Sequence, residues 1–169
     1  EWPDDLAPAV VAFLATGTLA DHPQLWPGDG RITAGHLAVL AERAAAGPFE
    51  LTLFDGTIDS GWSWSQRDEA MAARILAGRA ASVRTLVVAG NAHTPVRPIE
   101  LGVPMGAYLA QGRPGVREIR INYCGGYYYN VRPGRFAATG PQRRQARFYQ
   151  QDDALVLDLP SASEAVVPQ

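Results

Sequence analysis

Val83-Arg84-Thr85-Leu86-Val87-Val88-Ala89, followed by Gly90-Asn91-Ala92-His93, is the stretch on which the fold turns. A short, nearly continuous run of leucine and β-branched residues is the pattern of a strand buried on both faces, as in the middle of a parallel sheet. Gly90 ends the run. Glycine and asparagine both tolerate backbone angles that other residues avoid, so Gly90-Asn91 permits a sharp turn directly after the strand. The stretch predicts a central strand with a histidine held just beyond its carboxyl end.

Upstream lies a helix that starts near Ser65 and turns Met71, Ala72, Ile75 and Leu76 inward. Before it come a strand at 49–54 and a helix capped by Thr33, with Leu37, Leu40, Ala41 and Ala44 on one face and Gly47-Pro48 at its end. A first helix, capped by Asp4 or Asp5, carries Leu6, Val10, Phe13 and Leu14 on its apolar side. Downstream, a short helix at 103–110 leads to a strand at 116–123. Strand, helix, strand, helix, strand implies parallel pairing through right-handed crossovers. After Gly125-Gly126 the pattern changes to short strands at 127–131, 146–150 and 155–159, the last two joined by Gln151-Asp152-Asp153. The expected fold class is α/β: a mostly parallel three-layer sheet with helices on both faces and an antiparallel C-terminal hairpin. One domain is expected over 1–160, with a flexible tail at 161–169.

The chain has 169 residues, 47% of them hydrophobic, which suits one domain with a substantial core. A formal net charge of −2 argues against electrostatic wrapping of nucleic acid. All 15 basic residues are arginine, a composition that reflects ancestry rather than function. Cys124 is the only cysteine, so neither an internal disulfide nor a cysteine-based zinc cage can form. That favours a reducing compartment, the cytoplasm first. The longest apolar run, at 10–15, is far short of the ~20 residues a membrane span needs, and no basic segment precedes it as in a signal peptide.

In open parallel sheets, ligands bind beyond the carboxyl ends of the strands. Here those ends carry Asp55, then Gly90 to His93, then Tyr123-Cys124, and the start of the third helix brings Arg67 and Asp68 to the same edge. His93 reads either as a base, acid or ligand at the mouth of a cleft, or as a loop histidine bonded to backbone. Ser65-Gln66-Arg67-Asp68 fits a capping box with aspartate in the usual place of glutamate. Yet Asp68 also lies three and four positions before Met71 and Ala72, on the inward face, so it serves as a cap, as an acid at the active edge, or as both. Asp55 holds a metal, orients a histidine, or simply opens an Asp-Gly turn. Arg67 clamps a carboxylate or phosphate, or stands solvated. Asn91 sits in the turn before His93, and Trp62 and Trp64 line the cleft or cover it. Tyr127-Tyr128-Tyr129 puts neighbours on opposite faces of a strand; a tyrosine there could ligate haem iron, and cross-strand packing is the plainer reading.

Three motifs in order complete the reading: Arg67-Asp68-Glu69-Ala70-Met71-Ala72, then Gly90-Asn91-Ala92-His93, then Gly102-Val103-Pro104-Met105-Gly106 with Leu109. Their sequence and spacing, over roughly 49 to 124, resemble the erythromycin esterase-like, ChaN-like and Tiki superfamily. The resemblance implies an α/β fold among hydrolases of the erythromycin esterase type, metal-dependent Tiki proteases and ChaN-like haem-binding lipoproteins. It matches His93 to the histidine of the family's Gly-x-x-His motif, and Arg67 and Asp68 to the polar start of the preceding helix. Members open with a strand bearing a Glu-x-x-His-like segment, which this sequence lacks. The chain is therefore expected to be the C-terminal portion of a longer domain, or a diverged member.

The expected function is hydrolysis of a small-molecule ester or amide by water that His93 activates, directly or on a divalent ion. Asp68 or Asp55 would orient the imidazole, while Arg67, Asn91, Trp62 and Trp64 hold the substrate. Two rival readings remain: a haem-binding protein with His93 or one of Tyr127 to Tyr129 on the iron, and a non-catalytic interaction domain. A missing first strand would leave an open sheet edge, to be closed by a homodimer, the first helix or a companion segment.

Overall fold

A computed structural model of the chain describes residues 7–16, 34–47, 49–55, 61–78, 84–130, 132–136 and 145–160. The caps expected at Asp4 or Asp5 and at Thr33, the residue Val83 and the tail at 161–169 lie outside the described residues. In chain order the elements are α1 (Ala7–Thr16), α2 (Ala34–Ala45), α3 (Trp64–Ala77), α4 (Met105–Gly112), β1 (Glu118–Tyr123), β2 (Gly126–Asn130), β3 (Arg132–Phe136), β4 (Arg147–Gln151) and β5 (Ala154–Leu159). They fall into two compact units.

The first unit comprises Glu1–Leu53, Tyr123–Arg144 and Pro160–Gln169. Residues 10, 13 and 14 of α1 and 37, 40 and 41 of α2 follow the i, i+3, i+4 spacing of one helix face. Accordingly Val10, Phe13 and Leu37 form its buried centre, with Leu14, Leu40, Ala41, Leu51 and Leu53 packed against it. Gly47, at φ 137°, takes the chain out of α2 in a conformation that side-chain-bearing residues rarely adopt. β2 pairs antiparallel with β3, with Tyr128 opposite Gly134 and Asn130 opposite Arg132. β3 was not expected, because Pro133 and Gly134 disfavour a strand; in a two-stranded ribbon proline has an open edge to face. The strand expected at 49–54 carries no ladder pairing among the described residues.

The second unit comprises Phe54–Asn122 and Gln145–Leu159. α3 packs on α4 through Met71, Ala72, Ile75, Met105 and Leu109, with Phe54, Leu76, Val87, Ala89, Tyr108 and Val116 around them. Its sheet has the order β1-β5-β4 and is mixed: two strands run parallel and one antiparallel. The β4–β5 hairpin sits in the expected place, with Phe148 opposite Leu157 and a left-handed Asp152 (φ 52°) in the turn. On the covered face of β5, Asp158 lies buried with Ala154 and Val156, and accepts hydrogen bonds from Asn122 (3.2 Å) and the Tyr149 hydroxyl (3.3 Å). The chain is thus broadly α/β.

The decisive stretch departs from expectation. Residues 84–90 carry no strand pairing among the described residues. Val87 and Ala89 pack onto the α3–α4 cluster, whereas Leu86 and Val88 are 80% and 68% exposed. The burial on both faces that the apolar run predicts is therefore corrected to burial on one. Side-chain alternation gives one face to α3 and α4, and no described element covers the other. No helix among the described residues is long and apolar enough to cross a membrane.

Candidate functional site

The start of α3 organises the site. Ser63, in extended geometry, is the N-cap: its Oγ accepts from the Gln66 N–H (3.3 Å), and Gln66 Oε1 accepts from the Ser63 N–H (2.8 Å). The capping box is therefore Ser63 to Gln66, two residues ahead of the Ser65 to Asp68 box that the sequence suggested. The shift matters chemically, because it releases both Ser65 and Asp68 from capping their own helix.

Both turn instead to the chain ahead of α4. Ser65 Oγ accepts from the Val103 N–H (2.9 Å), and Asp68 Oδ2 accepts from the Met105 N–H (2.7 Å). Pro104, between them, has no N–H to satisfy. The next donor, Gly106 N–H, reaches the His93 carbonyl at 2.9 Å. The helix-start donors that would otherwise be orphaned all find acceptors. Glycine is required at both ends of this segment: a Cβ on Gly102 (φ 127°) would collide with Ser65 Oγ, and one on Gly106 with the Thr94 and Pro95 carbonyls.

The same Asp68 carboxylate, fully buried, meets His93 Nδ1 at 2.8 Å through Oδ1 and 3.0 Å through Oδ2. A carboxyl group that already accepts from Met105 takes a further donor readily, so Nδ1 is the ring nitrogen turned to Asp68 and Nε2 the one turned away from it. Nε2 has no hydrogen-bond partner among the described residues. Trp64 stacks on the imidazole, with ring centroids 5.3 Å apart and planes 15° from parallel. The turn expected at Gly90 closes with the His93 N–H on the Gly90 carbonyl (2.9 Å). The His93 side chain is 12% exposed, so the dyad is enclosed but not sealed.

Asp55 does not orient the imidazole. It pairs with Arg67, whose Nε donates to Oδ1 at 3.1 Å and whose Nη2 meets Oδ2, an arrangement of two parallel hydrogen bonds. Asn91 is exposed and its carbonyl accepts from the Thr94 hydroxyl (3.3 Å). Trp62 is 44% exposed in the chain leading to Ser63. Tyr127, Tyr128 and Tyr129 lie on β2 of the other unit. Of the residues marked in the sequence, Asp68, His93 and Trp64 come into direct contact, and Asp55 joins Arg67.

Ser65 and the Met105 N–H were not foreseen. A signal for them exists: Ser65 and Asp68 stand three apart on one helix face, facing the N–H groups of Val103 and Met105 on either side of a proline. As for a resident metal, no three His, Cys, Asp or Glu groups converge among the described residues. Asp68 is engaged by His93 and Met105, so the described donor set does not by itself make a site for a divalent ion. Among the described residues of this site, His93 Nε2 is the atom that would hold a haem iron.

No known protein family, no curated protein and no solved structure matches this chain.

Proposed function

We propose that the chain carries a hydrolase-like site of the erythromycin esterase-like, ChaN-like and Tiki superfamily, in which His93 and Asp68 act as a general-base dyad on an ester or amide. The observation that carries this reading is the Asp68 to His93 Nδ1 contact, which leaves Nε2 as the accepting nitrogen. In the proposed step Nε2 takes a proton from water as the water oxygen bonds to the carbonyl carbon. The buried Asp68 carboxylate stabilises the imidazolium that forms. Collapse of the tetrahedral intermediate returns that proton from Nε2 to the leaving oxygen or nitrogen, so no metal is needed to balance the reaction. As to fold, the reading takes 84–90 as a strand position of a mostly parallel three-layer sheet, supported by the one-sided packing of Val87 and Ala89 on α3 and α4.

The test is His93→Gln assayed on a small activated ester. Hydrolysis should fall to the rate of buffer with the circular dichroism spectrum unchanged; activity that survives the substitution overturns the assignment.

One observation also favours haem ligation. A carboxylate on Nδ1 raises the basicity of a histidine that ligates through Nε2. Titration with hemin distinguishes this reading: a Soret shift present in the wild type and lost in His93→Gln supports it, and an unshifted Soret band rejects it.

A further inference from the structure

His93 is held on both sides of its backbone and at one ring nitrogen. Its N–H donates to the Gly90 carbonyl and its carbonyl accepts from the Gly106 N–H, each at 2.9 Å. Nδ1 meets the two oxygens of Asp68 at 2.8 and 3.0 Å. These contacts set where the imidazole stands, but not its tilt. The torsion that turns the ring about its Cβ–Cγ bond is broad, and a carboxyl group with both oxygens in reach of Nδ1 accommodates a range of ring angles. Trp64 supplies the missing constraint. Its indole lies 15° from parallel to the imidazole with centroids 5.3 Å apart, the offset arrangement that aromatic pairs prefer.

The indole is itself fixed from two directions. Trp64 is the first residue of α3, directly after the Ser63 cap, and the reciprocal bonds between Ser63 and Gln66 set the point where the helix begins. On the Cε3 side of the ring stands Gly102, where a Cβ would sit 3.7 Å from that atom. Gly102 is tied to Ile99 by two hydrogen bonds of 2.9 Å, which close the 99–102 turn.

We propose that Trp64 is a positioning residue rather than part of the surface that holds substrate. The cap of α3 and the 99–102 turn set the indole, the indole sets the plane of His93, and Nε2 is thereby aimed in one direction. The catalytic consequence rests on the hydrolase reading above. A base that takes a proton from water must be aligned with the O–H bond that breaks, and misplacement by about an ångström costs on the order of 10²-fold. Without the indole the direction of Nε2 is averaged, so kcat falls while KM holds. A wall of the substrate pocket gives the opposite split.

Two variants test it: Trp64→Leu keeps apolar bulk without a ring, and Trp64→Phe keeps a ring that can stack. The first readout is His93 itself, whose ring C–H signals are identified by their loss in His93→Gln and followed by 13C-edited nuclear magnetic resonance. An indole stacked on the imidazole moves them upfield. They should be upfield in the wild type, remain partly so in Trp64→Phe, and return in Trp64→Leu to the range of a histidine with no stacked neighbour. Wild-type signals already in that range, or signals indifferent to Trp64→Leu, overturn the proposal, so the wild type alone can refute it even where a variant fails to fold. The second readout is hydrolysis of p-nitrophenyl acetate. Trp64→Leu should lower kcat at least tenfold with KM within about twofold, and Trp64→Phe should restore most of the loss. A raised KM at unchanged kcat, or a phenylalanine variant no better than the leucine one, overturns the positioning role. If the wild type hydrolyses the ester no faster than His93→Gln, the hydrolase reading falls, while upfield signals that Trp64→Leu abolishes still uphold the control of the ring plane. If hydrolysis depends on His93 but is indifferent to Trp64→Leu, the hydrolase reading stands and the proposal falls.

Discussion

Asp68 Oδ2 accepts a 2.7 Å hydrogen bond from the Met105 N–H, so one side chain of α3 receives the start of α4 and, through the same carboxylate, His93 Nδ1. Because the acid is fully buried, its two partners are the reason that it can be there: a carboxyl group without hydrogen-bond partners is costly to hold away from water. Packing of the two helices and the orientation of the imidazole are therefore one event.

Asp68→Asn should separate these duties. An amide keeps the shape but presents an NH2 group on one side, so either Met105 or His93 loses its acceptor. Turnover of a neutral ester should fall roughly 10²–10⁴-fold with KM nearly unchanged, and stability should drop by about 1–3 kcal/mol. Steady-state kinetics and urea unfolding read the two effects. A variant with normal kcat and lowered stability would reduce Asp68 to a structural cap.

Gly106→Ala drives a Cβ into the Thr94 and Pro95 carbonyls, which are backbone and cannot swing aside. It should cost about 1–3 kcal/mol and shift His93 with it, because the Gly106 N–H holds the His93 carbonyl. Gly115→Ala is the control: φ is 87° there, but the space is open, so a loss of about 1 kcal/mol is expected from backbone strain alone. Denaturant midpoints of the two variants give the comparison, and equal losses would deny the close approach at Gly106.

The position of the capping box is open to the same measurement. Ser63→Ala should lower stability by about 1 kcal/mol through loss of the cap. Ser65→Ala removes the acceptor of the Val103 N–H and should instead lower turnover, by loosening the segment that aligns Met105 with Asp68. If Ser65→Ala frays α3 and Ser63→Ala does not, the box lies where the sequence alone would have put it.

Exposure along 84–90 makes a sharp contrast between neighbours. Leu86→Asp should change stability by under about 0.5 kcal/mol, since the side chain already faces water. Val87→Asp places a charge against the Met71, Ile75 and Met105 cluster and should cost more than about 3 kcal/mol. Thermal unfolding distinguishes them, and a large loss from Leu86→Asp would mean that another element covers that face in solution.

Much of the local structure is legible in the residues themselves. The i, i+3, i+4 spacing of Met71, Ala72, Ile75 and of Val10, Phe13, Leu14 identifies the inward faces of α3 and α1, because helical geometry makes such positions neighbours whatever surrounds them. The turn at Gly90 and the β4–β5 hairpin are equally local, being set by backbone freedom at a few residues. His93 and Asp68 stand out for the same kind of reason, as a histidine after a glycine turn and an acid on an apolar helix face. What the residues could not disclose is pairing across distance. That Asp68, rather than Asp55, meets His93 depends on how α3 lies against the 90–93 turn, and that Arg67 is spent on Asp55 depends on where 49–55 ends. The apolar run at 84–89 shows that burial is favourable on both sides, but whether a second layer arrives to provide it is a matter of tertiary packing, and here only Val87 and Ala89 find cover. Helix faces and turns follow from short-range geometry; partners separated by 12 to 37 residues are chosen only when the chain closes and each buried donor must find its acceptor.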